Sequence, residues 1–309
     1  MFYKRLLTLV LIANILNAIG LPARADNCGI FETTAAERSE AKSFNRRPIV
    51  GKPKIGLALG GGGARGAAEV GVLKVLQKAG IEFDCVAGTS VGAVVGGFYC
   101  LGISPEVVER EFTGGALMRN YMAEPLVFRI LGAPFLAILA KFSRNKYDGL
   151  YGGDRFRNYL VGRHATDEIL IEDIKKPFAA IALNVIDGKP YMIRKGDIGY
   201  ARQASCAVPA LQKPVEIDGM LFSDGGVVCN LPVKQCRELG ADFVVAVNID
   251  ESFAPVPLKA LTKPGSMARR FLSWELYDID QAQEALADIT IHPETTGVSL
   301  ISKRKCWPN

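Results

Sequence analysis

The residues with the clearest capacity for chemistry form a short glycine-flanked turn around Ser90. Gly88 and Gly92 lie two positions on either side of this serine, between an apolar run and a stretch of small residues. The pattern Gly-x-Ser-x-Gly suits a nucleophilic serine, because glycines at these positions avoid clashes at a sharp strand-to-helix turn. The N–H of Val91, at the start of the helix, can help to stabilise a developing oxyanion. The same pattern also fits a turn without a reactive role.

A nucleophilic serine needs a base, and the chain has only two histidines. His164 lies in a polar segment, and His292 precedes Pro293 after a late apolar run. His292 satisfies the chain order Ser…Asp…His, so a Ser-His-Asp esterase that uses His292 is one alternative. An ordinary surface or strand-end role also fits both histidines.

Asp224 is a second candidate base. It follows an apolar stretch and precedes Gly225 and Gly226, which permit a sharp turn that presents the carboxylate to a neighbouring loop. A free aspartate has a pKa of about 3.9, which matches serine poorly, but burial beside Phe222 and Val227 would raise that pKa. Asp-Gly is also a common turn sequence, so a structural role for Asp224 stays open.

A glycine-rich segment lies between the first apolar run and the first helix. Residues 61–66 fit Gly-x-Gly-x-x-Gly, and their backbone N–H groups could bind a phosphate, form an oxyanion hole or only make a tight turn. A dinucleotide site would need an acidic residue at a strand end about 20 residues later. Asp84 lies near that distance, but it precedes the apolar run of the second strand and does not end it, which argues against a nucleotide. A non-catalytic module that binds lipid or phosphate through this loop is the second alternative.

Apolar patterns predict the elements that must position these motifs. Short apolar runs alternate with helical spacing, which is typical of an α/β protein with parallel strands. We therefore expect a three-layer α/β/α fold with a mainly parallel central sheet. The predicted strands are 55–59, 83–87, 178–185, 243–249 and 289–291. The predicted helices are 65–79, a small-residue helix that follows the Ser90 turn and ends at Leu101, 233–239 and 267–287.

The first 25 residues have the pattern of a secretory signal. Lys4 and Arg5 precede an apolar run over 6–19, and Ala23-Arg24-Ala25 fits a cleavage site. We expect cleavage near Ala25 and export to the periplasm or the medium, with an uncleaved N-terminal membrane anchor as the alternative. The rest of the chain divides into an N-terminal leader (26–53), a catalytic domain (54–250, with 103–175 as a cap or insertion) and a C-terminal helix and strand that pack on the same domain (251–309).

Composition excludes several classes of protein. The 309 residues are 49% hydrophobic and 22% charged, which excludes a disordered or coiled-coil chain. Without the first 25 residues, the chain has 34 basic and 32 acidic side chains, which is close to neutral. No nucleic-acid partner is therefore expected.

The seven cysteines lack metal-ligand spacing and no carboxylate-rich loop suggests calcium, so no metal or cofactor is expected. Small buried hydrophobic side chains are the simplest interpretation of Cys85, Cys100, Cys206 and Cys229. A disulfide through Cys28 or Cys306 is possible after export.

The three motifs in this order resemble the patatin-like phospholipase family, over residues 54–250. The segments Ala204-Ser205-Cys206-Ala207-Val208-Pro209 and Asn230-Leu231-Pro232-Val233 are also similar to segments of that family. The resemblance implies a patatin-like fold and hydrolysis of phospholipid or another acyl lipid in the manner of a phospholipase A. Together with the signal segment, it would make this chain an exported bacterial member.

The resemblance also implies a role for each motif residue. Ser90 would be the nucleophile that forms an acyl-enzyme, and Asp224 would be the base of a Ser–Asp dyad without histidine. Backbone N–H groups of residues 61–63 would form the oxyanion hole, and Arg65 would act as a nearby positive charge or a structural anchor. The oxyanion-hole residues are Gly61, Gly62, Gly63 and Arg65, and the remaining motif residues are Gly66, Gly88, Gly92, Gly225 and Gly226.

The most apolar stretch after the signal segment is 125–142. It fits a buried helix pair within the cap or an apolar surface that contacts acyl chains or a bilayer, so a transient membrane contact is expected on the second interpretation. The sequence indicates no particular oligomeric state.

Overall fold

The computed structural model describes residues 51–122, 147, 149–162, 168–251, 253–263, 265–295, 298 and 300. Several predictions fall outside these residues: the signal segment, the leader up to residue 50, His164, the 125–142 stretch, Cys28 and Cys306. Export, the cleavage site and a terminal disulfide therefore stay predictions.

In the described part of the chain, eight strands form one sheet in the order β5-β6-β3-β2-β1-β7-β8, with β4 also paired to β3. Strands β1, β2, β3, β7 and β8 run parallel to one another, whereas β4, β5 and β6 are joined by antiparallel pairing. The prediction of a mainly parallel sheet is confirmed. The strands are Ile55–Leu59 (β1), Cys85–Thr89 (β2), Phe178–Asn184 (β3), Lys189–Ile193 (β4), Val215–Ile217 (β5), Met220–Asp224 (β6), Phe243–Val247 (β7) and Ile289–Ile291 (β8).

The described part of the chain contains eight α-helices. They are Gly66–Lys78 (α1), Val91–Cys100 (α2), Pro105–Thr113 (α3), Ala116–Tyr121 (α4), Asp154–Gly162 (α5), Ile198–Ser205 (α6), Val233–Glu238 (α7) and Ser266–Glu284 (α8). None of them is long and apolar enough to cross a membrane.

Apolar side chains are buried on both faces of the sheet. Successive side chains of a strand point to opposite faces, so neighbours along one strand belong to different cores. In β1, Leu57 and Leu59 belong to the main apolar core, whereas Ala58 belongs to a second core. Helix α2 packs against β1, β2 and β3 over the main core, and α7 packs against β1, β2 and β7 over the second. The predicted three-layer α/β/α arrangement is therefore confirmed.

Helices α3, α4 and α5 come from the segment interpreted as a cap or insertion. Their side chains Phe112, Leu117 and Phe156 belong to the main core. An ion pair of 2.7 Å between Lys74 Nζ and Glu109 Oε2 also joins α1 to α3. The described helices of this segment therefore extend the central core.

The sequence pattern did not predict the antiparallel strands β4, β5 and β6. Strand β4 is largely exposed and contains Pro190, and β5 has only three residues. Short, half-exposed strands lack the continuous apolar run that identifies a buried parallel strand.

The five cysteines among the described residues are buried free thiols. The interpretation of Cys85, Cys100, Cys206 and Cys229 as small buried side chains is confirmed, and Cys236 is buried as well.

Candidate active site

Ser90 and Asp224 meet because two strands that pair with β3 end at the same point. Parallel β2 pairs with β3 as far as Ile181, and antiparallel β6 pairs with β3 from Ala182 onward. The carboxyl ends of β2 and β6 therefore converge on adjacent residues of β3. Ser90 follows the last residue of β2, and Asp224 is the last residue of β6.

The two side chains are joined by a short hydrogen bond. Ser90 Oγ donates to Asp224 Oδ2 at 2.7 Å, and the N–H of Gly226 donates to Asp224 Oδ1 at 2.8 Å. Burial raises the pKa of Asp224 from its ordinary 3.8 to about 6, although both hydrogen bonds lower it. The carboxyl group is thus mostly ionised at neutral pH and can accept a proton from the serine.

The backbone at Ser90 adopts a conformation that L-residues rarely occupy, with φ 52° and ψ −121°. Ser205 supports this turn: the Ser90 N–H donates to Ser205 Oγ at 2.8 Å, and Ser205 Oγ donates to the Ile181 carbonyl at 2.6 Å. Sequence reasoning quoted Ser205 within a family segment but assigned it no role. The structure shows that it holds the turn.

The glycines on either side of Ser90 have the steric role that their spacing indicated. A Cβ on Gly88 would lie 2.4 Å from the Gly92 carbonyl oxygen. A Cβ on Gly92 would lie 2.4 Å from the carbonyl oxygen of Leu59. Both positions therefore require glycine for the turn to pack against β1 and α2.

The glycine-rich loop presents fewer N–H groups to the site than expected. The Gly61 N–H donates to the Asn230 carbonyl at 3.2 Å, so the expected oxyanion role does not extend to Gly61. The N–H groups of Gly62 and Gly63 have no acceptor in the described part of the chain. These two glycines line the same cavity as Ser90.

Arg65 is an anchor of this loop. Its Nε donates to the Val298 carbonyl at 3.1 Å, and its guanidinium group lies 3.0 Å from Glu251 and 3.7 Å from Asp250. Since these acceptors take up its charge, the structure supports the anchor alternative and not an oxyanion role.

Two further motif glycines allow close packing around the site. A Cβ on Gly66 would lie 2.4 Å from Val91 Cγ2, so glycine lets α1 approach α2. A Cβ on Gly225 would lie 2.4 Å from the Ile181 carbonyl oxygen, so glycine lets the turn after Asp224 approach β3.

A second group of buried carboxyl side chains lies around Asn230, which contacts the glycine-rich loop. Asn230 Nδ2 donates to Asp250 at 3.1 Å and to Asp280 at 3.0 Å. Burial raises the pKa of both aspartates, and the Asp250 charge helps to raise that of Asp280 to about 8. Sequence reasoning missed both aspartates. The position of Asp250 after β7, at the carboxyl end of a parallel strand, was a usable signal, whereas nothing in the sequence marked Asp280.

His292 lies beside different residues from the serine. It lines a cavity of about 440 Å³ whose walls include Asp250, Glu251 and Glu284 but neither Ser90 nor Asp224. Its Nε2 is 3.5 Å from Glu284 Oε1. Among the described side chains, no group of three or more His, Cys, Asp or Glu is arranged to hold a metal ion.

Asp84 lies at the amino ends of the strands, away from the glycine-rich loop. Its carboxylate accepts the Ile55 N–H at 2.7 Å, at the start of β1. The glycine-rich loop follows the carboxyl end of the same strand, so Asp84 cannot act as the ribose-binding acid of a dinucleotide site.

The cavity that contains Ser90 and Asp224 is predominantly apolar. It has a volume of about 220 Å³, and its apolar walls include Val91, Leu117, Phe156, Leu211 and Leu276. A cavity with a few polar groups among apolar walls suits a ligand with an apolar part and one reactive polar group.

Comparison with known families agrees with this arrangement. The family model described as patatin-like phospholipase matches residues 57–237. The chain belongs to the patatin-like phospholipase family. The match covers the glycine-rich loop, Ser90 and Asp224, so all three motifs lie inside the region that defines membership.

Curated relatives of this patatin-like chain are longer than it is. An uncharacterised NTE family protein of Mycobacterium tuberculosis is 30% identical over 202 residues, which are 65% of this chain and 51% of that protein. A patatin-like phospholipase domain-containing protein of Caenorhabditis elegans is 34% identical over 197 residues, 63% of this chain and 13% of that protein. The chain thus spans about half the length, or less, of these two relatives.

Solved structures with a similar chain path include VipD from Legionella pneumophila, with a TM-score of 0.41 and 17% identity over 69% of this chain and 52% of that one. A second is ExoU in complex with SpcU from the type III secretion system of Pseudomonas aeruginosa. Its TM-score is 0.35, with 15% identity over 76% of this chain and 52% of that one.

Proposed function

We propose that this protein is a lipid acyl hydrolase of the phospholipase A type, which cleaves fatty-acyl esters through a Ser90–Asp224 dyad. The observation that carries this function is the 2.7 Å hydrogen bond from Ser90 Oγ to Asp224 inside an apolar cavity. Membership of the patatin-like phospholipase family supports hydrolysis of lipid esters.

In the first half of the reaction, Ser90 Oγ attacks the ester carbonyl carbon while its proton passes to Asp224. The carbonyl oxygen becomes an oxyanion, for which the N–H groups of Gly62, Gly63 and Val91 are the candidate donors. When the tetrahedral intermediate collapses, the bond from carbon to the leaving alcohol oxygen breaks. That oxygen takes the proton from Asp224, and an acyl-enzyme remains on Ser90.

In the second half, a water molecule replaces the alcohol. Asp224 takes a proton from this water, whose oxygen bonds to the acyl carbon. Collapse of the second intermediate returns the proton to Ser90 Oγ and releases the fatty acid. One carboxyl group therefore acts alternately as base and acid, and the raised pKa of Asp224 suits both roles near neutral pH.

The cavity supports an acyl lipid as the substrate. Its apolar walls would lie against the hydrocarbon chain of an ester whose carbonyl carbon is held at Ser90. Burial of this chain contributes roughly 0.8 kcal/mol for each methylene group removed from water. Phospholipids are the substrate class that best combines an acyl ester with this cavity and family.

The decisive experiment compares the wild-type protein with Ser90→Ala on a soluble p-nitrophenyl ester and on phospholipid vesicles. We expect the wild type to release p-nitrophenol and fatty acid, and to react covalently with a fluorophosphonate probe. Ser90→Ala should lose all three properties. Equal labelling of both proteins, or no labelling and no hydrolysis by the wild type, would contradict the proposal. The second outcome would favour a non-catalytic lipid-binding module.

A further inference from the structure

Helix α8 exposes large apolar side chains on its outer side. Met267, Phe271 and Trp274 are 53%, 61% and 44% exposed, and their spacing of four and three residues places them on one side of the helix. Leu272 is also exposed, on the adjacent side. These four residues are called the apolar face of α8 below. Helices that face only water normally carry polar residues in such positions.

Cations lie in the chain before and within the first turns of α8. From Phe253 to Trp274 they are Lys259, Lys263, Arg269 and Arg270, whereas the exposed acidic residues Glu275 and Asp278 follow farther along the helix. Arg270 packs over the Phe253 ring and donates to the Ala254 carbonyl, so the two lysines are the cations available to a lipid head group. Lys259 and Lys263 are exposed. They belong to, or directly follow, the short 3-10 helix Leu258–Thr262 that packs against α8. Apolar side chains flanked by cations are complementary to a bilayer that contains anionic lipids.

The same helix forms part of the catalytic cavity. Leu276 lines the cavity that contains Ser90, and it follows Leu272 by one helical turn. Residues four apart lie on the same side of a helix, so an apolar strip runs from the exposed Leu272 to the cavity wall. A hydrocarbon chain that leaves a bilayer at this face would stay in contact with apolar side chains on its way to Ser90.

We propose that the apolar face of α8 docks on the surface of a bilayer that contains anionic phospholipid. Trp274 and Phe271 insert among the acyl chains, and Lys259 and Lys263 lie against the head groups. Docking itself does not require catalysis. Only its consequence, delivery of acyl chains to Ser90, rests on the proposed function.

Binding is measured with full-length Ser90→Ala protein, so that hydrolysis does not alter the vesicles. Co-sedimentation uses phosphatidylcholine vesicles with and without phosphatidylglycerol. We expect stronger binding when phosphatidylglycerol is present, and about tenfold weaker binding for each of Phe271→Ser and Trp274→Ser. Ile186→Ser is the matched control, because Ile186 is 76% exposed in the turn between β3 and β4. This control should bind like the parent.

Tryptophan fluorescence locates the contact. The chain has two tryptophans, Trp274 and Trp307, so Trp307→Phe leaves Trp274 as the sole reporter. We expect the emission of Trp274 to shift to shorter wavelength when vesicles are added. An unchanged emission in the presence of bound vesicles would overturn the assignment of docking to α8.

Activity separates this inference from the proposed function. A double variant with Phe271→Ser and Trp274→Ser is made in the chain that retains Ser90. It should keep the wild-type rate of hydrolysis of a soluble p-nitrophenyl ester but lose most of the rate of hydrolysis of vesicle phospholipid. Equal vesicle binding by this double variant and its parent would overturn the docking proposal, even with full activity. A concentration-dependent dimer that the two substitutions dissociate would also overturn it, since the face would then bind a second copy of the chain. If the wild type does not hydrolyse the soluble ester, that result would contradict only the proposed function.

Discussion

Asp224 and Asp280 are both buried, and both have a raised pKa, but their surroundings differ. Asp224 accepts a hydrogen bond from the Ser90 hydroxyl and lines a cavity. Asp280 accepts a hydrogen bond from Asn230 and lies beside Asp250, and its Oδ1 has no hydrogen-bond partner among the residues that the structure describes. Burial raises the pKa in both places. Asp224 accepts a hydrogen bond from a hydroxyl group that can become a nucleophile, whereas Asp280 accepts one from an amide group.

The comparison shows that the size of a pKa shift does not by itself identify the reactive group. The pKa of Asp280 is raised to about 8, further than that of Asp224 at about 6. Perturbed carboxyl groups are concentrated at active sites, but buried structural networks perturb them as well. Asp280 contacts Asn230, whose backbone carbonyl accepts the Gly61 N–H. The position of Asp280 indicates that it supports the glycine-rich loop, whereas Asp224 forms a hydrogen bond with Ser90.

The largest expected effect is on catalysis. Asp224→Asn should lower kcat/KM on a soluble ester by about 10³-fold, because general-base catalysis contributes roughly 10² to 10⁴. Asp280→Asn should lower it by less than about tenfold, since it removes no group that contacts the serine. Initial rates on a p-nitrophenyl ester measure both. Similar losses in the two variants would contradict the distinction drawn between these aspartates.

Removing a side chain that supports the turn at Ser90 should lower the rate of catalysis by less. Ser205→Ala removes the acceptor for the Ser90 N–H, and we expect kcat to fall by about tenfold, the equivalent of one hydrogen bond of roughly 1.4 kcal/mol. Ser223→Ala is the matched control, because Ser223 Oγ donates to the Ala207 carbonyl at 2.7 Å and, among the described residues, forms no hydrogen bond with Ser90. The control should keep most of the activity, and a loss equal to that of Ser205→Ala would refute a specific role for Ser205.

The two aspartates should also differ in how they make stability depend on pH. A carboxyl group with a raised pKa binds its proton more tightly in the folded state, so its contribution to the free energy of unfolding falls as pH rises through the folded pKa. For Asp224 this fall ends near pH 6, and for Asp280 it continues to about pH 8. Urea unfolding between pH 6.5 and 8 should therefore show a slope, at most about 1.4 kcal/mol per pH unit. Asp280→Asn should reduce this slope and Asp224→Asn should leave it, whereas the buried Glu69, whose pKa is also raised well above its ordinary value, keeps its own contribution in both variants. The reverse pattern would contradict the assignment.

The smallest expected effect belongs to His292. The wild-type rate should fall below about pH 6, because protonated Asp224 cannot accept the proton of Ser90. An apparent pKa near 6 in a rate profile could be mistaken for that of a histidine. His292→Ala should change neither the rate nor this profile by more than about twofold. Loss of activity would instead favour a Ser-His-Asp esterase.

The sequence alone identified the parallel strands and the two residues of the proposed dyad. β1 and β8 have the bounds that their apolar runs predicted, and Ser90 and Asp224 each have glycines within two positions in the sequence. Such signals lie within a few neighbouring residues, so they can be read without the fold.

Only the tertiary structure decided how the site is held. Ser90 and Ser205 are 115 positions apart in the chain, and Asn230 and Asp280 are 50 apart. Their hydrogen bonds depend on which strands pair with β3 and on where α8 packs, so no local pattern marks them. The same holds for Gly61, whose N–H is taken by the Asn230 carbonyl. A local glycine pattern identifies a reactive residue in its turn, whereas its partners, and the close contacts that require Gly92 and Gly225, depend on how distant strands pack.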